Sequence, residues 1–231
     1  MNAAPTRSPT QAPELLRIDA LECIRDGRAL FSGLSVTLYA GELLALRGAN
    51  GAGKSTLLRA LAGLYPDYTG ALETAAFVYG GHKPGVSGHL STAENLRFLV
   101  GLANRPAAQP AGPQESPDIG MLAPLAQSIS AALEQVGLGG YEDVRCNALS
   151  AGQLRRVGLA RLLLAREPLW LLDEPLTALD PAGAQLLGEV LDNHIAAGGG
   201  AVCATHQDLP TTAHRTLLLT PAGVPELSRA G

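Results

Sequence analysis

The stretch ELLALRGANGAGKSTLLRALAGL, Glu42–Leu64, decides the fold. Its first part, Glu42 to Gly48, is a nearly continuous apolar run, the composition of a strand buried in a sheet. Its last part, STLLRALAGL, reads as a short helix stopped by Gly63 and then Pro66. Between them GANGAGKS, Gly48–Ser55, fits G-x-x-x-x-G-K-[ST], and Thr56 follows. Strand, glycine-rich loop and helix in this order open a P-loop fold. The residues Gly48, Asn50, Gly51, Gly53, Lys54, Ser55 and Thr56 are the expected phosphate cradle. Glycines let backbone N–H groups wrap the phosphates, Lys54 reaches the β- and γ-phosphates, and Ser55 holds Mg²⁺.

Elements extend on both sides of this core. Leu15–Leu21 and Leu34–Leu38 alternate like half-buried strands, with Gly27 and Gly41 as turns. Ala93–Leu102 and Ile129–Val136 look helical. The segment between them, NRPAAQPAGPQESPDIGMLAP from Asn104 to Pro124, has no apolar period and is expected to be a mobile loop lengthened by insertion. From Gly152 the pattern becomes helix Gly152–Ala165, strand Leu169–Leu172, helix Pro181–Ala197, strand Ala201–Thr205 and strand Thr216–Leu219. This alternation predicts an α/β fold, a mostly parallel sheet with helices on both faces. One domain is expected over residues 14–220, between a loose tail at 1–13 and a short tail at 221–231.

The chain has 231 residues and a net charge of −4, which argues against a generic binder of nucleic acid or anionic membrane. Lys54 and Lys83 are its lysines; every other basic residue is arginine. A lysine in the phosphate loop is informative against that background, because guanidinium cannot replace a compact ammonium there. Cys23, Cys146 and Cys203 are odd in number and form no CxxC, which suits buried thiols in a reducing compartment. No apolar run approaches the roughly 20 residues of a membrane span. A soluble, cytosolic chain is expected, reaching a membrane only through a partner.

Four further stretches carry chemistry. LWLLDEP, Leu169–Pro175, is an apolar strand ending in two carboxylates. At the strand's carboxyl end beside the phosphate loop, Asp173 can position Mg²⁺ and Glu174 can orient and partly deprotonate an attacking water. TALD, Thr177–Asp180, follows directly, and Asp180 before Pro181 reads as a helix N-cap. ATHQD, Ala204–Asp208, places His206 just past another strand, within reach of a γ-phosphate. LSAGQLRRVGLARLLLA, Leu149–Ala165, is a polar loop running into a helix, a second anion site by its free N–H groups and dipole.

These elements, in this order, resemble the ATP-binding subunits of ABC transporters, with LSAGQ as the signature and Ala151 where glycine is commoner. The resemblance covers about Leu15 to Leu219. It implies the ABC ATPase architecture: the P-loop core, an antiparallel β edge, and a helical subdomain at about 82–166 holding the insertion at about 104–125. It implies ATP and Mg²⁺, and a head-to-tail homodimer. Ser150, Gly152 and Gln153 of one copy would meet the γ-phosphate held by the other. Catalysis would fall to Lys54, Glu174 and His206. Two positions depart from the family. Ile24 or Arg25 stands where an aromatic residue usually stacks on adenine. His82 falls about where a glutamine usually reaches Mg²⁺ or the attacking water.

The stretch GHKPGVSGHLSTAENLRF, Gly81–Phe98, is similar to the haem-exporter subunits of cytochrome c maturation. That likeness implies integral membrane partners of the CcmB and CcmC type, and a peripheral place on the cytoplasmic face of the inner membrane. Haem itself is not expected to bind, since His82, His89, His194 and His214 are scattered and no CxxCH exists. An exporter of a lipid or drug fits the same motifs. A soluble ABC ATPase of DNA or the ribosome would usually carry two cassettes or a coiled coil.

Overall fold

In a computed structural model, the structure describes residues 12–103, 119–211, 214–220 and 223–229. The expected tail up to residue 11 and the insertion at 104–118 lie outside the described residues.

The chain opens with a long hairpin, β1 (Glu14–Arg25) and β2 (Arg28–Tyr39). Both strands run further than the alternation suggested. Asp26 and Gly27 supply the two positive φ angles, 50° and 72°, that a tight two-residue turn requires. Then come β3 (Leu43–Arg47), α1 (Lys54–Leu61), β4 (Tyr68–Thr74) and β5 (Phe77–Gly80). β4 pairs with β1 to complete a three-stranded antiparallel sheet ordered β2-β1-β4. Sequence patterning missed β4, because it has no buried residue and no apolar alternation.

Three helices follow: α2 (Thr92–Ala103), α3 (Ile119–Gln135) and α4 (Ala151–Leu164). α3 corrects the sequence reading. It starts ten residues before Ile129, inside the stretch read as loop. Its Pro, Ala and Gly content and lack of an apolar period hid a helix that packs Leu125 against the core. The chain closes with β6 (Leu169–Asp173), α5 (Pro181–Ala196), β7 (Gly200–Ala204), β8 (Arg215–Leu218) and β9 (Glu226–Arg229). β9 is a second correction. Part of the expected short tail pairs antiparallel with β8.

The main sheet is ordered β5-β6-β7-β3-β8-β9, parallel throughout except at β8–β9. Its central strands are buried on both faces, and alternation along β6 shows how. Leu169 and Leu171 join a core made with α1 and the antiparallel sheet, while Trp170 and Leu172 join the core under α2–α5. α1 has only eight residues, too few to hold as a helix alone in water. Leu57, Leu58 and Leu61 anchor it, and each buried leucine contributes about 1.5–3 kcal/mol relative to exposure. The phosphate-loop helix is therefore fixed by the sheet beneath it.

Candidate active site

The loop after β3 turns on glycines where side chains have no room. Gly48 has φ 141°, and a Cβ there would lie 2.4 Å from the Leu219 carbonyl oxygen. Gly53, at φ 99°, caps α1 without a side-chain bond, and its own Cβ would crowd the Phe31 ring at 3.0 Å. β2 thus packs directly under the loop. The first N–H groups of α1 have no carboxylate in their own turn to compete with a phosphate.

Lys54 is the buried cation of this loop, 8% exposed. Its Nζ donates to the carbonyls of Gly48 (2.7 Å) and Ala49 (3.2 Å). An ammonium has three donors, so one is left for an anion in the loop. Ser55 Oγ donates to Asp173 Oδ1 at 2.9 Å, joining the start of α1 to the end of β6. Asp173 is 2% exposed. A hydroxyl and a buried carboxylate, both hard oxygen donors, fit the few protein ligands that Mg²⁺ takes beside phosphates. Asn50 is exposed on the loop, and Thr56 is half-buried behind Ser55.

Glu174 follows Asp173 with φ 51°, a left-handed conformation rare for glutamate. Its N–H donates to Ala204 O at 2.8 Å, and Thr177 N–H donates back to Glu174 O at 3.2 Å. The kink turns the side chain toward β7, where Oε2 lies 2.9 Å from His206 Nδ1. The expected carboxylate and histidine are therefore brought together.

The signature segment is built separately. Ser150 N-caps α4 in a full capping box. Its Oγ accepts from Gln153 N–H, and Gln153 Oε1 accepts from Ser150 N–H at 2.9 Å. Gln153 is thus engaged in its own cap. Gly152 faces the loop after β6, where an added Cβ would lie 3.2 Å from Ala178 O. Among the described residues, no hydrogen bond joins Ser150–Gln153 to Gly48–Thr56 of the same chain.

His82 lies exposed just past β5, and its carbonyl accepts from Arg155 Nη2 at 2.9 Å. Among the described residues, no hydrogen bond joins it to Ser55 or Asp173. Arg25 is exposed at the hairpin end and pairs with its neighbour Asp26, while Ile24 O accepts the Tyr65 hydroxyl. Asp180 caps α5 through Gly183 N–H at 2.9 Å, as read, and both its carboxylate oxygens accept from Arg156 Nη2, at 2.7 and 3.0 Å. The sequence reading did not single out Arg155 or Arg156; a run of arginines on a helix carries no signal of what each one holds.

All three cysteines are free and buried, and burial pushes Cys23 to about 11 and Cys203 to about 12. Among the described residues, no group of three or more His, Cys, Asp or Glu could hold a metal. No helix there is long and apolar enough to cross a membrane.

The strand–loop–helix cradle, the two strand-end acids and the capped signature helix define a P-loop ATPase of the ABC class. Residues 31–177 match the ABC transporter family. The chain is 44% identical to the cytochrome c biogenesis ATP-binding export protein CcmA of Methylococcus capsulatus, over 83% of this chain and 90% of that protein. It is 39% identical to the protein of that name from Rhodobacter capsulatus, over 90% and 88%. Among solved structures it resembles an ATP-binding subunit of an ABC transporter (21% identity, TM-score 0.75, 93% and 90% covered) and a dimeric ATP-binding cassette (18%, TM-score 0.78, 94% and 100% covered). The chain belongs to the CcmA family of ABC transporter ATP-binding subunits, and it is an ATPase of that type.

Proposed function

We propose that this chain hydrolyses ATP to power haem export or delivery in cytochrome c biogenesis, working as a head-to-tail pair on integral membrane subunits of the CcmB and CcmC type at the cytoplasmic face of the inner membrane. The observation that carries the reading is the direct bond between Glu174 and His206 at the ends of adjacent strands, beside the Ser55–Asp173 pair.

In this reading the backbone N–H groups of Gly48–Thr56 cradle the phosphates, and Lys54 neutralises charge on the β- and γ-phosphates. Ser55 and Asp173 would hold Mg²⁺, which when bound would draw charge from the phosphate oxygens. Glu174 accepts a hydrogen bond from the attacking water, aligns it and takes its proton. His206 holds Glu174 through Nδ1 and offers Nε2 to the γ-phosphate. Ser150, Gly152 and the start of α4 complete the γ-phosphate shell of the partner copy. Loss of the γ-phosphate then removes the bridge between copies, turning hydrolysis into movement. His82 stands at the start of the segment that meets the membrane subunit, where it reads that subunit's position.

Deleting the gene and staining exported proteins for covalent haem tests the assignment. Cytochromes of the c type should disappear. Normal staining would remove the haem role and leave the ATPase.

A further inference from the structure

Arg155 lies one turn past the Ser150 cap and is only 9% exposed. Its Nε donates to Thr177 O at 3.1 Å and its Nη2 to His82 O at 2.9 Å. One side chain therefore ties three segments together: the signature helix, the chain leaving β5, and the turn after Glu174. Thr177 is held at both its backbone groups, because its N–H donates to Glu174 O while its carbonyl accepts from Arg155. Glu174 itself sits at a positive φ, which persists only when neighbouring structure holds it.

A buried arginine is a costly way to fill space. Desolvation pulls its pKa down, and Asp173 and then Glu174 work against that. An apolar side chain would pack against Pro84, Leu159 and Leu172 of the adjoining pocket without that cost. Arg161, on the same helix and lining the same pocket, donates to Tyr79 O at 3.2 Å, and among the described residues no hydrogen bond joins it to the Glu174 turn or to His82.

We propose that Arg155 is a positioning residue for hydrolysis, locking the turn that carries Glu174 to the segment that begins at His82 so that the two move as one. The inference rests on the catalytic role given to Glu174 above.

The test measures ATPase kinetics and thermal midpoints of the full chain carrying Arg155→Met, Arg155→Lys, Arg161→Met or Glu174→Gln. Arg155→Met should lower kcat by about 100-fold while KM stays within about two-fold, because misplacing a reacting group costs turnover and leaves the Lys54 contacts alone. Arg155→Lys keeps the charge but gathers its donors on one nitrogen in place of the separated Nε and Nη2 that reach the two carbonyls, so its kcat should fall between the two. Arg161→Met should keep kcat within about two-fold of the parent. Wild-type kcat in Arg155→Met, or an equal loss in Arg161→Met, would overturn the proposal. If Arg155→Met does not fold, Arg155→Lys decides, and full turnover in it is equally fatal. A Glu174→Gln variant that still turns over would instead break the underlying reading.

Discussion

His206 Nδ1 lies 2.9 Å from Glu174 Oε2, and the backbone N–H of Glu174 donates to Ala204 O, two residues before that histidine. β6 and β7 are adjacent parallel strands in register at Asp173 and Ala204, so strand pairing itself sets the distance between the two side chains. Glu174→Gln keeps the shape and removes the base. Turnover should drop by about 10²–10⁴-fold with ATP affinity retained, the usual contribution of a positioned acid or base. Single-turnover hydrolysis and equilibrium nucleotide binding check this, and an unchanged rate would strip Glu174 of its role. His206→Ala should lower kcat as well, by less, because Glu174 keeps its backbone anchor.

The capping box at Ser150 lets stability and catalysis be separated. Ser150→Ala loses the cap and should cost about 1 kcal/mol of folding stability. Ser150→Asp keeps a good cap, so urea midpoints should stay near the parent. It also places a negative charge where the partner's γ-phosphate would sit. Hydrolysis should then collapse while ATP binding to one copy survives. Normal ATPase activity in Ser150→Asp would show that no phosphate is read there.

The main sheet and the phosphate cradle were legible because each rests on local chemistry. Continuous apolar strands, a glycine-rich loop and strand-end acids announce themselves at fixed spacings. Asp180 was read as a cap and is one. What stayed hidden depends on distant partners. β4 pairs through its backbone with β1 and carries no apolar pattern of its own. β9 is visible only as the partner of β8. Arg155 gains meaning from two carbonyls, one 22 and the other 73 residues away in sequence.

Gly48→Ala tests the loop's backbone. Its φ of 141° and the 2.4 Å approach to Leu219 O leave no room for a methyl group. The variant should lose at least about 1–3 kcal/mol from conformational strain, and ATP affinity should fall with it. Denaturant unfolding with and without nucleotide measures both. Parent-like stability would mean that the loop rearranges freely.

Trp170, the only tryptophan of the chain, stacks on His194 with ring centroids 3.7 Å apart and planes 8° apart. His194 Nε2 lies 3.3 Å from Gly200 O, and burial holds the imidazole below its ordinary pKa despite that bond. His214 is also held low, by burial and then by Arg47. In both, the fold favours the neutral ring. Below about pH 6.5 the unfolded chain therefore binds more protons than the folded one. Stability should fall as pH drops from about 6.5 and level off once the folded residues protonate. His194→Phe keeps the stack and removes the proton site, so it should flatten part of this slope and leave the His214 share. Urea midpoints followed by Trp170 fluorescence between about pH 5 and about pH 7 read both effects, since protonation beside the indole is reported by the same ring. A slope identical in the parent and His194→Phe would show that His194 titrates alike in the folded and unfolded chain.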